Sequence, residues 1–85
     1  MTELEKYLSG IGVGYRLDNG DLYLCRDGEK RRFDFGYYKV YKLDDALSHI
    51  WLSIQLELSK CEMFSNAEWE VICGLIGLPY VAMNG

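Results

Sequence analysis

Proline occurs once in the 85-residue chain, at Pro79, and histidine once, at His49. So little proline excludes a proline-rich linker or a low-complexity segment. A lone histidine restricts nucleophilic catalysis, because a Cys–His pair also needs a neighbouring thiol and an orienting carboxylate. On the long helix expected below, His49 sits beside the apolar stripe as a surface or boundary residue. Cysteine is also scarce: Cys25, Cys61 and Cys73, with no C-x-x-C spacing. An odd count does not suit a disulfide framework, and zinc sites want paired short spacings. The expectation is three reduced, mostly buried thiols in a cytoplasmic protein. Long apolar runs are missing too. The longest such region, 43–58, is broken by Asp44, Asp45, His49, Gln55 and Glu57, whereas a membrane span needs about 20 apolar residues. The first residues are charged from Glu3 onward and have no signal-peptide core. No membrane association is expected.

Catalytic and cofactor motifs are equally absent. There is no P-loop, nucleophile elbow or metalloprotease helix. Gly10-x-Gly12-x-Gly14 lacks the third glycine, the preceding strand and the following helix of a dinucleotide fingerprint. Asp18-x-x-Asp21 does not match a calcium loop. No catalytic residue, metal ligand or cofactor is therefore assigned, and the chain reads as a non-enzyme.

What is present is a globular composition. Hydrophobic residues make up 49% and aromatics 14%, enough to fold without staples. The length suits one domain, 1–85, which buries only about 60–65% of its unfolded surface. Net charge is −4, which weighs against nucleic acid as the main partner. The charge is uneven. Residues 1–25 carry two basic and four acidic side chains, 26–42 six basic and three acidic, and 43–85 one basic and six acidic. A basic middle thus precedes an acidic C-terminal half.

Two dipeptides organise the first half. Asn19-Gly20 and Asp27-Gly28 both favour two-residue type I′ turns, which need positive φ at each central position. The first turn pairs Asp18 with Asp21, Leu17 with Leu22, Arg16 with Tyr23 and Tyr15 with Leu24. The second pairs Arg26 with Glu29, Cys25 with Lys30, Leu24 with Arg31, Tyr23 with Arg32 and Leu22 with Phe33. Side chains alternate across a strand. One face therefore collects Val13, Tyr15, Leu17, Leu22, Leu24, Phe33 and Phe35, with Arg26, Glu29 and Arg31 at one end. The other collects Arg16, Tyr23, Cys25, Lys30, Arg32 and Asp34. The segment 37–42 either extends the third strand or forms a fourth.

Helix signals flank this meander. Thr2 and Glu5 fit a capping box for a short first helix, with Leu4, Tyr7 and Leu8 on one face. A long helix is expected over 44–60, with Asp44 as N-cap and a stripe of Leu47, Ile50, Trp51, Ile54, Leu58 and Cys61. Ser65 and Glu68 form a capping box for a last helix over 66–76, with Val71, Ile72, Leu75 and Ile76 inward. Gly77 and Pro79 end it. The predicted fold is α+β: a short N-terminal helix, a three- or four-stranded antiparallel meander, and two C-terminal helices packed on one sheet face.

Two surfaces are candidates for binding. The wet sheet face carries Arg16, Tyr23, Lys30 and Arg32, and Tyr37, Tyr38, Lys39, Tyr41 and Lys42 enlarge it. Guanidiniums beside a tyrosine ring form cation–π contacts, and Tyr and Arg commonly anchor interfaces. Such a face suits an anionic or aromatic partner, although solvation of a sheet's outer face accounts for the same residues. The acidic alternative comprises Asp44, Asp45, Glu57, Glu62, Glu68 and Glu70, directed at a basic partner. The leading expectation is a non-enzymatic protein-binding module, an inhibitor or accessory factor that occupies a partner protein's surface. Small acidic chains of this kind include phage-type inhibitors of host defence, a comparison carried by size and charge alone. The alternatives are a nucleic-acid binder using the basic, tyrosine-bearing face and a self-associating domain, monomer against homodimer.

Overall fold

The structure is a computed structural model that describes residues 2–35, 39–51, 53 and 63–80. Helix α1 spans Glu3–Gly10, followed by strands β1 (Gly14–Asp18), β2 (Asp21–Arg26) and β3 (Glu29–Asp34). Helix α2 spans Leu43–His49 and α3 spans Asn66–Ile76. The strands form one antiparallel sheet in the order β1-β2-β3. This is the α+β arrangement expected, with a meander between helices.

The turns behave as their chemistry requires. Asn19 and Asp27 take φ of 54° and 50°, and Gly20 and Gly28 take 90° and 87°. Aspartate and asparagine tolerate this left-handed region better than other side-chain-bearing residues. All nine expected cross-strand pairs are present, and the register extends to Gly14 opposite Cys25 and Asp21 opposite Asp34. Residues 36–38 lie outside the described residues, and 39–42 take no strand conformation. The sheet therefore has three strands among the described residues.

The core forms on the expected sheet face. Leu22 and Leu24 are fully buried on the central strand, with Val13 and Phe35 beside them. Tyr15, Leu17 and Phe33 pack around the rim. Leu4 and Leu8 of α1 and Leu43, Ala46 and Leu47 of α2 complete the same cluster. Thr2 caps α1 by accepting from the Glu5 N–H at 3.2 Å. Burial raises the Tyr15 pKa, and the neighbouring Glu5 carboxylate adds to this.

Three helical details differ from expectation. Helix α2 starts at Leu43 and not after Asp44, because Leu43 is drawn into the core behind an extended Lys42. Asp44 accepts from the Asp45 N–H instead, at 3.2 Å. The helix also breaks at Ile50, whose ψ is 7°. Trp51 and Ser53 are helical again, while 54–62, including Ile54, Leu58 and Cys61, lie outside the described residues. Finally, α3 is rotated. Its buried residues are Trp69, Ile72 and Cys73, whereas Val71 and Leu75 are 42% and 39% exposed. Tryptophan sets this rotation, because its ring buries more area than any aliphatic side chain. Trp51 and Phe64 meet Trp69 edge-on, at centroid distances of 6.0 and 4.9 Å.

One polar cluster fixes α3 against the sheet. The Arg26 Nη1 donates to the Met63 carbonyl at 2.7 Å and to the Glu68 Oε1 at 2.8 Å. The same Glu68 oxygen accepts from the Ser65 N–H at 2.9 Å, and Ser65 Oγ accepts from the Glu68 N–H at 3.2 Å. The capping box is thus intact, and its glutamate is shared with a guanidinium from β2. Both side chains are about four-fifths covered, at 22% and 18% exposure. The hydrogen bond from Arg26 holds the Glu68 carboxyl below its ordinary pKa of 4.5.

Arg26→Ala is expected to destabilise the protein by about 1–3 kcal/mol, since it strips a carboxylate and a carbonyl of their donor. Urea denaturation measures this. Because the Glu68 pKa is lowered on folding, its contribution is present above pH 4.5 and fades as pH falls through the lower folded value. Glu68→Gln keeps the cap acceptor and removes this titration. Its stability should therefore fall less steeply in acid than that of the wild type.

Candidate binding face of the sheet

The register sorts the wet face into three cross-strand rows. Asp18, Asp21 and Asp34 form the row beside the first turn, followed by Arg16, Tyr23 and Arg32, and then by Gly14, Cys25 and Lys30. Three cations and three carboxylates balance, but they are segregated along the strands.

Tyr23 stands at the centre of this face, on the middle strand. Arg16 Cζ lies 4.8 Å from its ring centroid and Lys30 Nζ 5.3 Å. Cations at this distance are attracted by the negative face of the ring. Arg32 was expected beside the same ring. It pairs instead with Asp21, with Nη2 at 2.8 Å and Nε at 3.0 Å from one carboxylate oxygen. The neighbouring Asp21 raises the Arg32 pKa, with Tyr23 contributing next. Lys30 therefore takes the position expected of Arg32. Its long stem reaches diagonally across the strands, whereas the Arg32 guanidinium finds a carboxylate within reach.

A depression of about 310 Å³ adjoins this group, lined by Gly14, Tyr15, Arg16, Tyr23, Cys25 and Lys30. It opens where Gly14 leaves β1 without a side chain. A Cβ built there would meet only the Cys25 carbonyl oxygen, at 3.9 Å. Gly14 carries no functional signal in the sequence. Extending the hairpin register by one pair places it opposite Cys25, and that is the signal available for finding it.

The remaining candidate residues are not gathered here. Lys39 Nζ lies 5.5 Å from the Tyr41 ring centroid, and Tyr41 is 75% exposed. No ring or ion contact among the described residues joins this pair to Tyr23. Tyr37 and Tyr38 lie outside the described residues. Of the acidic alternative, Asp45 and Glu70 are exposed and Asp44 is half-buried, while Glu57 and Glu62 lie outside the described residues. Glu68 does not belong to an outward acidic surface, because its carboxylate is turned inward to Arg26. A second cleft, of about 400 Å³, lies over that contact and is lined by residues including Asp27, Glu29 and Phe64.

Among the described residues no group of three His, Cys, Asp or Glu side chains converges as metal ligands would. None of the described helices is long and apolar enough to cross a membrane. His49 is exposed at the end of α2. No family model matches the chain, and no curated protein or solved structure matches it.

The two described cysteines differ sharply. Cys25 is exposed on the wet face, and Cys73 is buried on α3, where desolvation raises its thiol pKa. Thiolate is the reactive form. A water-soluble maleimide should therefore modify Cys25 in the native protein and spare Cys73 until denaturant is added. Peptide mass mapping reads this, and equal labelling of the two would contradict it.

Proposed function

We propose that the protein is a non-enzymatic binding module that occupies the surface of another protein through the wet face of its sheet. The observation that carries this reading is Tyr23, held between Arg16 and Lys30 at the edge of an open depression. A tyrosine with only two side-chain torsions, braced by neighbours, loses little entropy when a partner covers it. Arginine and tyrosine together are the commonest energetic centres of protein interfaces. The chemistry on offer is recognition: cations, a ring and a gap, on a rigid three-stranded platform.

Small size suits steric occupation of a partner. An inhibitor or accessory factor, including the phage-type inhibitor of host defence, works in this way and requires no catalytic group. The row of Asp18, Asp21 and Asp34 beside the cations disfavours a nucleic-acid backbone, which carries repeated negative charge. We therefore place the nucleic-acid reading second. Self-association rests on the exposed Val71 and Leu75 of α3 and is independent of the sheet face.

The test is affinity capture from lysate with the wild-type protein and with Tyr23→Ala side by side. A stoichiometric protein retained by the wild type and weakened at least tenfold by Tyr23→Ala is expected, as for a central anchor. Circular dichroism establishes that the variant is folded. Equal capture by both proteins would assign binding to another surface.

A further inference from the structure

Gly14 lies in a strand, where glycine is conformationally loose and has no side chain to pack. Its backbone is outside the left-handed region, and a Cβ there would make only an ordinary contact with the Cys25 carbonyl oxygen. The fold does not require glycine at this position. The missing side chain has one structural consequence, which is to open the depression beside Tyr23.

The cations around that opening are weakly committed. Lys30 has no carboxylate within ion-pairing distance among the described residues, and its ammonium lies over the Tyr23 ring. Arg16 has only a loose contact with Asp18 at 3.8 Å, between side chains that are 63% and 61% exposed. The two cations rise from the outer strands β1 and β3, with Cys25 on the central strand between them. In a protein of net charge −4, the wet face beside the depression presents two cations, Arg16 and Lys30.

Resting on the protein-binding reading above, we propose that the depression receives a carboxylate side chain from an acidic, extended segment of the partner protein. The carboxylate sits over Gly14 and Cys25 and accepts hydrogen bonds from Arg16 and Lys30, while its methylene stem packs on the Tyr23 ring. Charge-assisted bonds of this kind are the strong ones. A single carboxylate fits because the Asp18–Asp21–Asp34 row lies beyond the arginine row. A polyphosphate chain continuing across the face would run onto those three aspartates.

A display library of random short peptides, selected in parallel on the wild type, Gly14→Val and Lys30→Ala, tests the proposal. Valine suits a strand and fills the opening, and an amide NMR fingerprint verifies that each variant is folded. The wild type should enrich peptides containing Asp or Glu. Binding of those peptides should be abolished in Gly14→Val and weakened roughly tenfold in Lys30→Ala. Enrichment of peptides with no acidic preference, still lost in Gly14→Val, would overturn the carboxylate assignment and leave the protein-binding reading standing. Enrichment indifferent to both substitutions, or no enrichment on any of the three, would overturn the site itself. An oligothymidylate that displaces the selected peptides at physiological salt would replace the acidic peptide with a nucleic acid.

Discussion

Arg26 reaches from the last residue of β2 to acceptors 37 and 42 positions further along the chain. The guanidinium meets the carbonyl that precedes α3 and the glutamate that caps it, so one side chain fixes where that helix begins and how it leans on the sheet. Burial pushes the pKa of nearby Tyr7 up, and the Glu68 charge adds to this. With Glu68 drawn inward, Trp69 must follow into the core and Val71 must face out. The rotation of α3 is thus set by a pairing between charges as well as by its apolar residues.

The legible part of the fold is the part governed by local rules. Asn19-Gly20 and Asp27-Gly28 dictate the turns, the turns dictate the register, and alternation then separates a core face from a wet one. The last helix was also legible at both ends, because Ser65, Glu68 and Gly77 satisfy backbone groups within one turn. Its buried face was not. Periodicity alone allows Val71 and Leu75 to point inward, and burial of Trp69 together with a contact 42 residues away in sequence decides against it. The start of α2 failed for the same reason: Asp44 is a good local cap, but burial of Leu43 outweighs it.

The candidate site was half legible. Register placed Arg16, Tyr23 and Arg32 in one row, as found. It could not choose which cation lies over the ring, because side-chain reach and the pull of Asp21 are not encoded in pairing. The depression was invisible for a simpler reason. Gly14 acts through what it lacks, and a missing side chain has no motif. It acquires meaning once Cys25 is set opposite it and Lys30 beyond.

Two-residue turns also govern how the chain finds this shape. Each hairpin closes over a handful of residues, so little loop entropy opposes sheet assembly. Pairings so close in sequence are the kind that form rapidly. The Arg26–Glu68 contact closes a far longer loop and therefore carries the larger entropic cost. The platform bearing Tyr23 is the locally encoded part of the molecule, whereas the docking of α3 rests on a contact between residues 42 positions apart.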